Sequence, residues 1–275
     1  IQDMKKLRQE YQPTATYPEN LAQRKTGFLW SHDNLWDLEN QKQTKYWNTW
    51  KHRNTYTSAI KSTAAPMDFI TEETNFEDYP FIVAPAYQLI DSKLVAKWTN
   101  YVQNGGHLIL SCRTGQKDKE GHFFEANWGA PIVPLIGADL DFFDVLVTDV
   151  EGTVKAANTL FKWNTWADVL SPKKGTEILA TYEDQFYKGK AAAITRKLGK
   201  GTVTYIGVES TDGSLEKQLV REVYSRANVA IENLPKGVLV EWRDGFYVAV
   251  NYSNEPVTIA MPKASKILVG QNPLQ

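Results

Sequence analysis

The chain of 275 residues is 42% hydrophobic and 23% charged, and 31 Lys and Arg against 32 Asp and Glu leave a formal charge of -1. That is the composition of one or two folded domains of roughly 100–200 residues, and it lacks the basic excess that would grip nucleic acid or an acidic membrane surface. No apolar run approaches the roughly 18–20 residues needed to cross a bilayer, and the single cysteine, Cys112, cannot form an intramolecular disulfide, so the compartment is left open.

The chain starts at Ile1 with no initiator Met and no charged-then-apolar leader, and its last stretch, Lys266 to Gln275, begins a strand-like run and stops just after a turn. Both ends read as cuts. Residues 1–26 are polar: Ile1, Met4, Leu7 and Arg8 outline a short helix, and Pro13 and Pro18 then discourage its continuation. Gly27 to Trp30 reads as a strand, and the proline-free stretch carrying Tyr46, Trp47, Trp50 and Ile60 as a helix.

Two buried-type strands, Pro66 to Ile70 and Phe81 to Ala84, precede a helix whose apolar positions are Leu94, Val95, Trp98, Tyr101 and Val102. Asp91 should cap that helix and Gly105-Gly106 should end it. His107 to Cys112 returns as a strand. Continuous apolar strands alternating with helices predict a parallel sheet covered on both faces. Residues 113–175 are less regular and read as long loops with a few strands. Thr176 to Tyr182, Ala191 to Thr195 and Thr202 to Gly207 resume the sheet, with Gly199-Lys-Gly201 as a turn, and Leu215, Leu219, Val223 and Tyr224 outline a helix closing the unit near Asn228. Beyond Pro235 the pattern alternates: Val238, Val240 and Trp242, then Asp244-Gly245, then Phe246, Val248 and Val250, and finally Val257, Ile259 and Met261. Asp-Gly between alternating runs predicts a hairpin in a small antiparallel unit.

Cys112 is the sharpest chemical candidate, because it ends a buried parallel strand at a Gly-containing turn, Arg113 to Gly115, where crevices form in such sheets. The later strand end, Tyr205 to Thr211, offers Glu209 but no histidine to activate a thiol, so Cys112 reads as an inert buried residue. His32, His52, His107 and His122 show no metal-pair spacing. Gly199-Lys-Gly201 lacks P-loop spacing, and Asn254-Glu255 before Pro256 is a turn. Of the nine tryptophans, Trp30, Trp98 and Trp242 read as core, whereas Trp36, Trp128, Trp163 and Trp166 fall in looser segments and are expected to be exposed, for packing between subunits more than for sugar stacking.

Asp91 to Gly115 resembles the helix, Gly-Gly, strand and elbow order of class I glutamine amidotransferase-like domains. A longer series resembles the non-catalytic part of family 42 β-galactosidases: Tyr79-Pro-Phe-Ile-Val-Ala-Pro-Ala-Tyr87, Tyr101 to Gly106, His107 to Ser111 with Thr114-Gly115, Pro134 to Gly137, Ala191 to Thr195 with Leu198 to Gly201, and Tyr205 to Gly207. Trp30 to Glu39 is similar to the Trp-containing entry to the same domain. The lysine-rich stretch from Gln116 to Phe124 and the incomplete final β unit depart from the pattern.

This resemblance implies an α/β fold with a flavodoxin-like, amidotransferase-like parallel sheet followed by a small antiparallel β domain. It implies residues 1–24 as the end of a catalytic barrel, 25–232 as a trimerisation domain and 233–275 as a small, incomplete β domain. The family's acid/base and nucleophile glutamates lie on barrel strands, so no catalytic residue is carried over, and no cofactor or metal site is assigned. The expected partner is a second and third copy of the chain, joined mainly through residues 25–210; galactoside would be met only through the barrel. The rival readings are a cysteine hydrolase using Cys112 and a carbohydrate-binding or interaction module.

Overall fold

The computed structural model describes residues 2–11, 16–147, 149–259 and 266–270. Helix α1 (Gln2–Glu10) buries none of its residues, as its polar sequence dictates; Ile1 and Pro13 lie outside the described residues. A short α2 (Glu19–Ala22) leads into β1 (Thr26–Leu29), which is buried along its length. Helices α3 (His32–Asn40) and α4 (Thr49–Lys61) each begin at a side-chain cap, where the Ser31 hydroxyl accepts from the Asn34 amide and Asn48 from the Lys51 amide. Tyr46 and Trp47, read from sequence as helical, precede that cap in a turn.

Strand β2 (Met67–Ile70), a 3₁₀ turn at Phe76–Asp78, β3 (Phe81–Ala84), α5 (Ser92–Gln103) and β4 (His107–Ser111) follow in the expected order. Asp91 caps α5 by accepting from the Leu94 amide at 2.7 Å. Gly106 follows because a Cβ there would run into the Tyr101 ring. Next come α6 (Val133–Ile136), β5 (Ala138–Asp144), β6 (Gly152–Ala156), β7 (Thr159–Pro172), β8 (Thr176–Tyr182), β9 (Ala191–Leu198), β10 (Gly201–Ile206), β11 (Val208–Ser210) and α7 (Ser214–Arg226).

Three strands, β5, β6 and β7, lie in the segment between residues 113 and 175 where the sequence predicts loops with a few strands, and the 14-residue β7 is longer and more buried than a loose segment would hold. Its centre is buried continuously, so it shows no alternation, and Thr165 at φ 73° interrupts what period remains. Residues 159–163 pair with β6, and residues 167–172 with β5. One strand therefore serves two neighbours on either side of a kink.

The parallel sheet is also narrower than expected. Strands β2, β1, β3, β4 and β10 run parallel, but β9, β8, β6, β7 and β11 continue the same eleven-stranded sheet in antiparallel pairs, with β5 attached to β7. The switch falls at the tight β9–β10 turn, Gly199-Lys-Gly201, where the Gly201 Cα lies against the Gly106 and Val102 carbonyls. Alternation along the parallel strands sends Phe28, Phe81 and Ile206 to a core with α4 and α7, and Leu29, Ile82 and Leu110 to a core with α5 and α6. Both faces are covered, as the continuous apolar strands required.

Strands β12 (Val238–Arg243) and β13 (Phe246–Asn251) form a separate antiparallel pair. Asp244 and Gly245, at φ 46° and 94°, make the turn with both central residues left-handed, which Asp-Gly favours. Val257 and Ile259 pack beside Ala64, Leu234, Val238 and Val240 but form no strand among the described residues, and Met261 lies outside them.

Candidate functional site

The crevice at the carboxyl ends of the parallel strands is where ligands bind in open α/β sheets, and β4 delivers Ser111, Cys112 and Arg113 to it. Arg113 turns the chain sharply at φ 68°, while the Cys112 amide still bonds the Ile206 carbonyl at 2.8 Å and the Thr114 hydroxyl bonds the Ser111 carbonyl at 2.6 Å. This is the geometry of an elbow. Cys112 is buried in it among Leu38, Trp47, Ala86 and Trp166. Burial pushes its thiol ionisation well up, and the nearby Asp168 and Glu209 carboxylates push it further. The thiolate needed for nucleophilic chemistry is thus suppressed.

Asp168, on β7, anchors the crevice. Its carboxylate accepts from the Arg113 amide at 3.1 Å, the Trp166 indole at 3.0 Å and the Tyr205 hydroxyl at 2.7 Å. Burial raises its ionisation while these donors oppose the rise. The Arg113 guanidinium lies against both the Trp47 and Trp166 rings, 4.5 and 4.7 Å from their centroids, and donates to the Gln88 side chain at 3.2 Å. Burial lowers its ionisation to about 10.

A histidine does reach the crevice, from a direction the sequence does not reveal. His52, on α4, places Nε2 2.8 Å from the Ser111 hydroxyl and Nδ1 3.4 Å from Glu209. The order Ser111, His52, Glu209 is that of a hydrolase relay. The three side chains are 0%, 0% and 1% exposed, and Ser111 Oγ already accepts from the Ala86 amide at 2.7 Å. Trp47 covers His52 at 4.8 Å and Tyr56 lies on it at 5.2 Å. With every hydrogen-bonding direction of Ser111 engaged and no open face, these groups tie α4, β4 and β11 together. A second buried carboxylate, Glu216 on α7, is also sealed: it accepts from the Ser210 amide at 2.9 Å and from its hydroxyl.

The other sequence candidates lie apart. His107 bonds Thr202 at 2.9 Å and stacks on Phe81, His122 lies beside Asp118 on an exposed loop, and His32 sits between Trp30 and Trp36. Trp163 and Trp166, expected exposed, are wholly buried by the centre of β7; Trp36 is exposed as expected, Trp128 is half-buried, and Trp98 is core. Trp30 and Trp242, expected in the core, are half-buried. The lysine-rich loop is not a free basic arm: Lys117 is buried against Asp37 at 2.8 Å and Lys119 binds Glu72.

A family model described as β-galactosidase trimerisation domain matches residues 24–231. The β-galactosidase BgaH of Haloferax lucentense is 31% identical over 242 residues, covering 88% of this chain and 36% of that protein. The chain belongs to the trimerisation-domain family of the family 42 β-galactosidases. The solved β-galactosidase from Halorubrum lacusprofundi superimposes with a TM-score of 0.76 at 28% identity, covering 84% of this chain and 34% of that one. The β-galactosidase from the psychrophilic Marinomonas ef1, at 22% identity, shares the fold with a TM-score of 0.79 over 98% of this chain and 39% of its own. The chain thus spans about a third of the length of the curated relatives it matches. The matched residues 24–231 hold the eleven-stranded sheet and its helices, and the elbow at Arg113 lies inside them.

Proposed function

We propose that this chain is the subunit-assembly part of a β-galactosidase of family 42, joining three copies, and that hydrolysis of terminal β-galactosides is carried out by a barrel outside it. In this reading residues 1–24 end the barrel, 25–232 form the assembly domain and 233–275 a small β domain, with contact made mainly through residues 25–210. The observation that carries the reading is the filled crevice: Trp47, Arg113 and Trp166 occupy the place where a sheet of this kind would hold substrate, and Cys112 and Ser111 are sealed beneath them. The family description and the names of the relatives support it. The cysteine-hydrolase reading loses its support, since the thiol is held protonated and His52 is engaged by Ser111.

Retaining glycoside hydrolysis requires two carboxyl groups aligned across a substrate about 5–5.5 Å apart. The deeply buried acids here, Asp168, Glu209 and Glu216, are each committed to internal partners. The chain, purified from a host lacking its own β-galactosidase, is expected not to turn over a nitrophenyl β-galactoside. Turnover that co-purifies with the chain and is lost on Asp168→Asn or Glu209→Gln would overturn the reading.

A further inference from the structure

We propose that, in the assembly, a neighbouring copy of this chain packs against an aromatic face at the β2 end of the sheet, meeting it head to tail with a second aromatic face around Phe186. The proposal rests on the assembly reading above and names its contact surfaces.

The first face is built by α3, the start of α4 and the edge strand β2. Trp36, Trp50 and Phe69 are 60%, 50% and 61% exposed. They are not scattered. Half-buried Trp30 touches Trp50 at 5.9 Å and Phe69 at 5.4 Å between ring centroids, and His32 bridges Trp30 to Trp36 at 5.7 and 6.0 Å. The Arg53 guanidinium supports the Trp30 ring at 4.1 Å. Contiguous exposed aromatics of this kind mark interaction sites, and Trp, Phe and Arg are the residues enriched in interface centres.

Covering this face would strand few charges. The charged neighbours of its rings in sequence are already paired within the chain: Asp37 with Lys117, Lys51 with Glu209 at 3.4 Å, and Asp68 with Lys25 at 3.3 Å. An interface laid over them leaves those pairs intact, so no unpaired charge is stranded beneath it.

The symmetry of a three-membered ring selects the occupant. A closed ring of three cannot use one self-complementary patch; it needs two different faces on each copy, the front of one meeting the back of the next. The chain carries a second face of matching chemistry. Phe186, 83% exposed on the turn between β8 and β9, stacks on Phe142 at 5.4 Å and meets Tyr187 edge-on at 4.9 Å. Its polar surroundings are likewise satisfied, Tyr187 donating to Asp144 at 2.6 Å and Lys190 pairing with Asp141 at 3.2 Å. Strand β2 closes one end of the sheet, while Phe142 lies on β5, attached to β7 near the other. Two aromatic faces toward different ends of one sheet give each copy the distinct front and back that head-to-tail contact needs.

Sedimentation velocity on the full 275-residue chain tests this with two variants, one carrying Trp36→Ser and Trp50→Ser, the other Phe186→Ser. All three side chains are exposed, so both variants should keep the far-UV spectrum of the parent chain, and their urea midpoints should match that of the parent chain diluted to its single-chain form. Each alone is expected to weaken assembly at least tenfold and to sediment as a monomer where the parent chain is a trimer. Mixed at high concentration, they are expected to form a one-to-one dimer, because the intact front of one meets the intact back of the other and the disabled faces stop growth. If both variants assemble as tightly as the parent chain, the faces are wrong while the assembly reading stands. If the variants are monomeric and their mixture forms no dimer, head-to-tail pairing is overturned. If the parent chain is itself a monomer throughout, the assembly reading falls and this proposal with it.

Discussion

Two regions of the molecule hold its most chemically suggestive side chains, and they differ in one respect. The crevice at the strand ends gathers Ser111, Cys112, Arg113, His52, Asp168 and Glu209 and buries them all, whereas the face at the β2 edge gathers Trp36, Trp50 and Phe69 and leaves them in water. In the crevice, the Asp168 carboxylate has three donors from the same chain, and Ser111 has both a backbone amide and an imidazole. At the edge, the outer faces of Trp36, Trp50 and Phe69 are left uncovered by the chain. Reactive residue types sealed in the interior hold the fold together; it is the apolar surface left in water that points to a partner.

The sharpest way to break this comparison is to make the same change in both regions. Trp47→Ala removes an indole that packs on His52, Trp166 and Arg113, and should lower stability by about 4 kcal/mol in urea unfolding, as large aromatic deletions from cores do. Measured below the concentration at which copies associate, Trp36→Ala should change it by no more than about 0.5 kcal/mol, because in the single chain that ring is mostly in water. Equal losses would mean that the two regions are not sealed and open as described.

Asp168→Asn comes next. The amide offers one acceptor oxygen and presents its own donors to a site lined by the Arg113 amide, the Trp166 indole and the Tyr205 hydroxyl, so a loss of about 2–3 kcal/mol is expected. A neutral outcome would show that Asp168 is not the anchor of the crevice.

Alkaline pH should loosen the sealed region gradually. Burial first, with nearby carboxylates adding to it, raises the ionisation of Cys112, Tyr56, Tyr182 and Tyr205 in the folded chain. A group raised on folding contributes stability that is fully present below its unfolded value, roughly 8.5 for a thiol and roughly 10 for a phenol, and lost as pH rises from there through the folded value. Urea midpoints should therefore fall steadily from about pH 8.5 upward, and a flat profile to pH 11 would contradict the burial of these groups. The smallest effect is kinetic silence: a thiol-specific disulfide reagent should release no colour from the native chain and one equivalent after denaturation, and Cys112→Ser should leave assembly unchanged. Rapid native labelling would reopen the crevice as a site.

Much of the fold is legible because its signals are local. Asp91, the apolar positions of α5, Gly106 and the continuous runs of β3 and β4 each state their own conformation, and Asp244-Gly245 states the hairpin. What is not legible depends on partners remote in the chain. β7 hides because both of its faces are covered and Thr165 breaks its period, and the antiparallel half of the sheet follows from pairings that no single strand encodes. Glu209 can be picked out at a strand end, but His52 reaches it from a helix that precedes Ser111 by 59 residues, with no spacing to announce it. Trp36 and Trp166 sit in segments of similar composition; only the packing of β5 and β7 separates the exposed ring from the buried one.

The central claim is that the chain works by associating with itself. Sedimentation equilibrium across a dilution series through the micromolar range measures this directly. The account predicts a mass of three times 31.2 kDa that gives way to the single-chain mass only on extensive dilution. A single-chain mass at every concentration, or a closed dimer, would contradict it.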